Sequence, residues 1–106
     1  ATHTIQNIAK YISDNYASEI SLDMLSEKFA ISRSHLSRQF KSATGFGLSE
    51  YISLVRVKNA QRLLMTTDRT VTEIAIACGF NDSSYFSAVF KKFLGSSPLR
   101  LRKNNF

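Results

Sequence analysis

The chain has 106 residues, 43% of them apolar, enough for one compact domain or two small lobes sharing a connecting element. Its formal net charge of +6 is unevenly placed: residues 1–30 carry two basic against four acidic side chains, residues 31–106 twelve against four. No apolar run approaches the roughly 18 residues that span a bilayer, no secretory signal pattern is seen, and Cys78 alone excludes an internal disulfide. A lone cysteine fits a reducing cytoplasm. The chain begins on Ala1 rather than methionine and reads as a piece of a longer protein.

Ile5, Ile8, Ala9, Ile12 and Tyr16 follow helical spacing and predict an amphipathic helix ending near Ala17. Ser21 is placed to cap a short helix through about Lys28, with Leu22, Leu25 and Phe29 inward. Ala30-Ile31 makes a turn, and Ser32 caps a second helix that stops at Thr44-Gly45. A longer helix is expected from about Leu48 to Met65, with Tyr51, Ile52, Val55, Ala60, Leu63 and Leu64 mostly inward. Thr70-Val71-Thr72-Glu73 predicts a capping box opening a short helix through Cys78. After the Gly79-Phe80 turn, Asn81 or Asp82 caps a helix to Leu94, and Pro98 opens a last one over about Ser97–Arg102. No segment alternates in a strand-like way, so the expectation is an all-α chain of about seven helices.

The chain also repeats itself. Leu25, Ala30-Ile31, Leu36, Phe40-Lys41 and Gly45 recur as Ile74, Gly79-Phe80, Phe86, Phe90-Lys91 and Gly95. The offset is 49 residues before the turn and 50 after it, so the second turn holds one extra residue within Asn81-Asp82-Ser83. Two copies are too few for a stacked solenoid core, whereas two reading heads suit a ligand that repeats every turn, such as a duplex.

Drawn as wheels, the helices after the two turns carry matching outer faces. With Leu36 and Phe40 inward, Ser34, Arg38 and Lys41 lie outside, flanked by Ser37. With Phe86 and Phe90 inward, Ser84, Ala88 and Lys91 lie outside, flanked by Ser87. Small or hydroxylated groups near the helix start suit entry into a major groove, and a lysine one turn on suits a phosphate. Taken singly, each could be an ordinary solvated face; their recurrence behind a short capped helix and a tight turn favours recognition. The base-reading candidates are Ser34, Ser37, Arg38, Ser83, Ser84, Ser87 and Ala88, and the backbone candidates Arg33, His35, Lys41, Lys91 and Lys92. Arg38 leads, because arginine donates two hydrogen bonds to guanine O6 and N7, although a phosphate contact is its alternative. Ser34 and Ser37 suit either a base or a phosphate.

The residues resemble the AraC/XylS-type DNA-binding domain. The resemblance rests on Ser32, Leu36-Ser37-Arg38, Phe40-Lys41, Thr44-Gly45, Tyr51-Ile52, Arg56, Ala60 and Leu63-Leu64. It continues with Ile74-Ala75, Cys78-Gly79-Phe80, Ser84-Tyr85-Phe86, Phe90-Lys91, Gly95-Ser96-Ser97-Pro98 and Arg102. It implies two homeodomain-like, three-helical lobes, 1–45 and 67–106, joined by a connecting helix over 46–66. It further implies recognition helices in successive major grooves of double-stranded DNA. The implied parent is a bacterial regulator with an N-terminal sensor or dimerisation domain and RNA polymerase as a second partner. The fragment itself is expected to need no cofactor, metal or membrane, and to bind DNA without an effector.

Three positions depart from the family pattern. Ala30 stands where glycine is common, and a positive φ there would cost about 1–2 kcal/mol. Ala88 replaces an arginine by which some relatives reach a base, leaving only apolar contact, for example with a thymine methyl. Leu101 replaces an aromatic residue before Arg102, which predicts altered packing of the last helix.

Other residues read as structural. Arg56 lies among apolar neighbours, suggesting an ion pair with Glu73 or Asp82, and Cys78 reads as a small core residue. His3, His35 and Cys78 lack metal-ligand spacing. The alternative function is a DNA-binding module of an alkyl-transfer repair protein, with Cys78 as acceptor; the chain is otherwise expected not to be an enzyme, having no nucleophile–base motif. A protein-interaction bundle would leave the basic repeats unexplained, and an RNA binder would be expected to expose aromatic stacking platforms.

Overall fold

The computed structural model describes residues 2–104, within which seven helices and no strand are found. They are α1 (Thr2–Asn15), α2 (Leu22–Lys28), α3 (Arg33–Thr44), α4 (Leu48–Thr66), α5 (Val71–Ala77), α6 (Ser83–Leu94) and α7 (Pro98–Asn104). The all-α expectation with two helix-turn-helix units is borne out. α1 stops before Ala17 because the Asn15 amide donates back to the Tyr11 carbonyl at 3.0 Å and Ser18 N–H closes on the Asn15 carbonyl. α7 continues past Arg102 to Asn104.

Side-chain caps fix where the helices begin. Ser21 accepts from Met24 N–H at 3.1 Å, Ser32 from His35 N–H at 3.2 Å, and Asp82 from Tyr85 N–H at 2.7 Å. Asp82, not Asn81, therefore opens α6, which makes Asn81 the extra residue of the second turn. The Thr70–Glu73 capping box forms in both directions, at 3.1 and 2.8 Å. Its hydrogen bonds to Thr70 hold the Glu73 carboxyl below the usual range.

Compact packing divides the chain between Ser53 and Leu54, inside α4. In the first unit, Ile5, Ile8 and Ile12 form a buried stripe on α1 at i, i+3, i+7, joined by Leu25, Leu36, Phe40, Leu48 and Ile52. α3 packs on both α1 and α2, and the Phe40 ring meets Tyr51 edge-on at 5.0 Å. In the second unit, Val57, Ala60 and Leu64 repeat the same i, i+3, i+7 spacing on α4. They join Ile74, Ala75, Cys78, Phe80, Phe86 and Phe90 in the core, and α6 packs on α5 and α7. Each fully buried Leu, Ile or Phe contributes about 1.5–3 kcal/mol by leaving water. Val57 is buried where the sequence pointed to Val55, which is half-buried. The stripe of α4 changes phase after Ile52, so reading the helix as a single face selects the wrong valine.

α7 is tied down by Arg102. Its guanidinium donates to the Leu64 carbonyl at 3.2 Å, the Thr67 carbonyl at 3.1 Å, and the Arg69 carbonyl. A cation here satisfies the Leu64 carbonyl in the last turn of α4 and two carbonyls of the loop that follows, and it complements the negative end of the helix dipole. With Pro98 buried as well, α7 keeps its place although Leu101 is not aromatic.

Each turn closes by the same pair of backbone bonds. Ala30 N–H reaches the Glu27 carbonyl at 3.3 Å and Ile31 N–H the Ser26 carbonyl at 3.1 Å. Gly79 N–H reaches Ile76 at 3.1 Å and Phe80 N–H reaches Ala75 at 3.0 Å. This is the Schellman arrangement, which requires a left-handed residue just past the helix end. Gly79 meets that requirement at φ +98°, and Ala30 adopts it at φ +53° despite its Cβ. The first turn has a further brace, from the Ser26 hydroxyl to the Ile31 carbonyl at 2.6 Å; the repeat places Ala75, which has no hydroxyl, at the equivalent position.

Ala30→Gly should therefore stabilise the chain by about 0.5–1 kcal/mol, the relief of left-handed strain less the entropy glycine adds to the unfolded chain. Ser26→Ala should cost about 1 kcal/mol. Urea unfolding of both variants checks this, and a destabilised Ala30→Gly would contradict the strain. Cys78 is fully buried, and burial pushes its thiol up against the opposing pull of Arg62, Arg56 and Arg69. At about pH 8 it should react with a soluble disulfide reagent far more slowly than a free thiol. Labelling of the native chain as fast as of the unfolded chain would contradict that burial.

Candidate nucleic-acid interface

α3 stands on α1 and α2 with Leu36 and Phe40 buried, and this sets which residues it turns outward. Arg33, Ser34, His35, Ser37, Arg38 and Lys41 are all exposed, so every candidate on this helix is available to a ligand. Two open grooves flank the outer face. One, of about 500 Å³, is lined by Leu22, Arg33, Ser34, Ser37 and Arg38. The other, of about 370 Å³, is lined by His35, Arg38, Gln39 and Ser42. Arg38 borders both, which places it on the ridge between them.

α6 repeats this frame on α5 and α7 with Phe86 and Phe90 buried. Ser84, Ala88, Lys91 and Lys92 are exposed, whereas Ser83 and Ser87 are half-buried. Ser87 lies in a groove of about 500 Å³ with Thr70, Val71, Thr72, Ser97, Pro98, Leu99 and Arg102. Its counterpart Ser37 is exposed, so the two faces match in position more closely than in accessibility.

The charges are arranged for an anion, with local modifiers. Lys41, Lys91 and Lys92 occupy the last turns of α3 and α6, where cations also complement the helix dipole. Lys92 lies 5.8 Å from the centre of the Phe93 ring. The Arg33 Nε stands 2.9 Å from Asp23 Oδ1, in an ion pair whose side chains remain 67% and 73% exposed. Arg56 is half-buried beside Cys78 and Tyr85, and burial lowers its pKa. The Glu73 carboxylate accepts from Thr70 N–H at 2.8 Å.

Two residues outside the sequence-derived set bear on these faces. Tyr85 is 59% exposed on α6 and packs beside Phe80 at 6.2 Å between ring centres. It occupies the repeat position of His35, a correspondence that would have selected it. Asp23 is the other: a carboxylate beside a basic face shows no sequence signal, because its partner lies ten positions away across the turn.

A family model described as "Helix-turn-helix domain" matches residues 25–104. The HTH-type transcriptional activator RhaS of Escherichia fergusonii is 34% identical over 99 residues, which cover 93% of this chain and 36% of that protein. The chain thus spans about a third of the length of this curated relative. Among solved structures, the DNA-binding domain of AdpA, a global transcriptional factor crystallised with a target DNA, superposes with a TM-score of 0.90 at 30% identity. That match covers 94% of this chain and 90% of the AdpA chain. The C-terminal domain of AraT, a response regulator from Geobacillus stearothermophilus, gives a TM-score of 0.91 at 28% identity, covering 95% of this chain and 84% of its own. With the helices, the paired turns and these matches in agreement, the chain belongs to the AraC/XylS-type helix-turn-helix DNA-binding domains.

Proposed function

We propose that this chain is the sequence-specific DNA-binding part of a bacterial transcription regulator and that α3 and α6 enter successive major grooves of a duplex. The observation that carries this reading is the matched pair of outer faces, each held by two buried aromatic or aliphatic anchors on a capped two-helix frame. AdpA, which shares the fold at 30% identity, was crystallised on its target DNA. Within this reading Arg38 reads a guanine, Ser34 and Ser37 contact bases or phosphates beside it, and Ser84 and Ala88 face the second groove. Lys41, Lys91 and Lys92 meet phosphates, with Arg33 and His35 at the edge of the first head and Tyr85 at the edge of the second. Ser83 and Ser87, half-buried, contribute only where DNA approaches their flank.

The reading also places the chain in a longer cytoplasmic protein, since it spans about a third of RhaS, and assigns effector sensing and RNA polymerase contact to that parent. In this reading, duplex binding by this chain needs no small molecule.

Arg38→Ala should cost about 1–3 kcal/mol of binding and relax preference at one base pair. Lys91→Ala should weaken all sequences alike and flatten the salt dependence by about one unit in the log–log slope. Selection from random duplexes followed by titration of both variants checks this. An unchanged sequence preference in Arg38→Ala would remove its readout role.

A further inference from the structure

The ion pair between Asp23 and Arg33 sits at the edge of the first reading head and has no counterpart in the second. Asp23 lies in the first turn of α2 next to Leu22, and Leu22 lines the same groove as Arg33, Ser34, Ser37 and Arg38. Arg33, Ser34, Ser37 and Arg38 line one shallow, open depression, and side chains of these types donate to phosphate oxygens. The carboxylate at its edge opposes such a ligand. At the equivalent positions of the second unit the chain carries Thr72 and Ser83, neither charged.

An exposed pair of this kind adds little to folding stability. Its effect falls on the surface charge instead. With Asp23 Oδ1 2.9 Å from Arg33 Nε, the two side chains together present no net charge to the backbone of a duplex. Arg33 can neutralise a phosphate, and so release one of the DNA's counterions, only to the extent that it is freed from Asp23.

We propose that Asp23 is an affinity-setting residue of the DNA-binding surface: it masks Arg33 and holds down the sequence-independent, phosphate-driven part of binding by the first head. This inference rests on the DNA-binding reading above. Discrimination between sequences is left to the Arg38 ridge, and the masked arginine adds backbone affinity only when the acid is removed.

The test measures fluorescence anisotropy of a labelled random-sequence duplex titrated with the chain at several salt concentrations. Asp23→Asn should bind about five- to tenfold more tightly near 0.1 M salt, with a log–log slope steeper by about 0.9. Asp23→Glu, which keeps the charge, should restore the weaker binding. In an Arg33→Ala background the gain from Asp23→Asn should disappear. Unchanged or weaker binding by Asp23→Asn would overturn the proposal, as would a gain that persists without Arg33, since that would be a general field effect of one acid. Failure of the unmodified chain to bind any duplex would instead overturn the DNA-binding reading and this inference with it.

Discussion

Both reading heads depend on one backbone event, the left-handed residue that ends the supporting helix. At Ala30 and Gly79 the chain reverses its local hand for a single residue, and two N–H groups turn back onto carbonyls of the preceding helix. Those bonds fix the direction in which the next helix leaves. The next helix then buries Leu36 and Phe40, or Phe86 and Phe90, on the same support. Which residues face outward follows from that geometry and not from any preference of their own. The first turn meets the requirement with alanine and gains a hydroxyl brace from Ser26; the second uses glycine and has alanine where the brace would be. The strain and its compensation therefore occur in the same unit.

On this common frame the two heads present different chemistry. The first offers Arg38 on a ridge between two grooves, with serines beside it and an ion-paired arginine at its edge. The second places Ala88 at the position of Arg38 and half-buries Ser83 and Ser87. It also carries an exposed tyrosine near its start and two lysines in its last turn. On the proposed reading, directional hydrogen bonding to bases falls to the first head, and shape and backbone contact to the second.

Much of this was legible in the sequence because its determinants are local. Caps such as Ser32 and Thr70, and glycines such as Gly45 and Gly95, declare helix ends within three or four residues. The repeat placed the outer faces because Leu36 and Phe86 anchor them at equivalent positions. What escaped were features set by residues distant in sequence or by a shared element. The phase change in α4 hid Val57 behind Val55, since one helix supplies buried residues to two units. Arg102 reaches carbonyls more than thirty positions away, so no local pattern announced its anchoring role. Asp23 meets Arg33 only once the turn has folded.

On the proposed reading, one chain carries two heads that engage a duplex together. Protection of guanine N7 from methylation along a selected high-affinity duplex, with the chain at saturating concentration, measures this joint engagement. Two protected major-groove windows per bound chain, centred about 10 base pairs apart, are expected. A single protected window at saturation, with one chain bound per duplex, would show that the two heads do not act together.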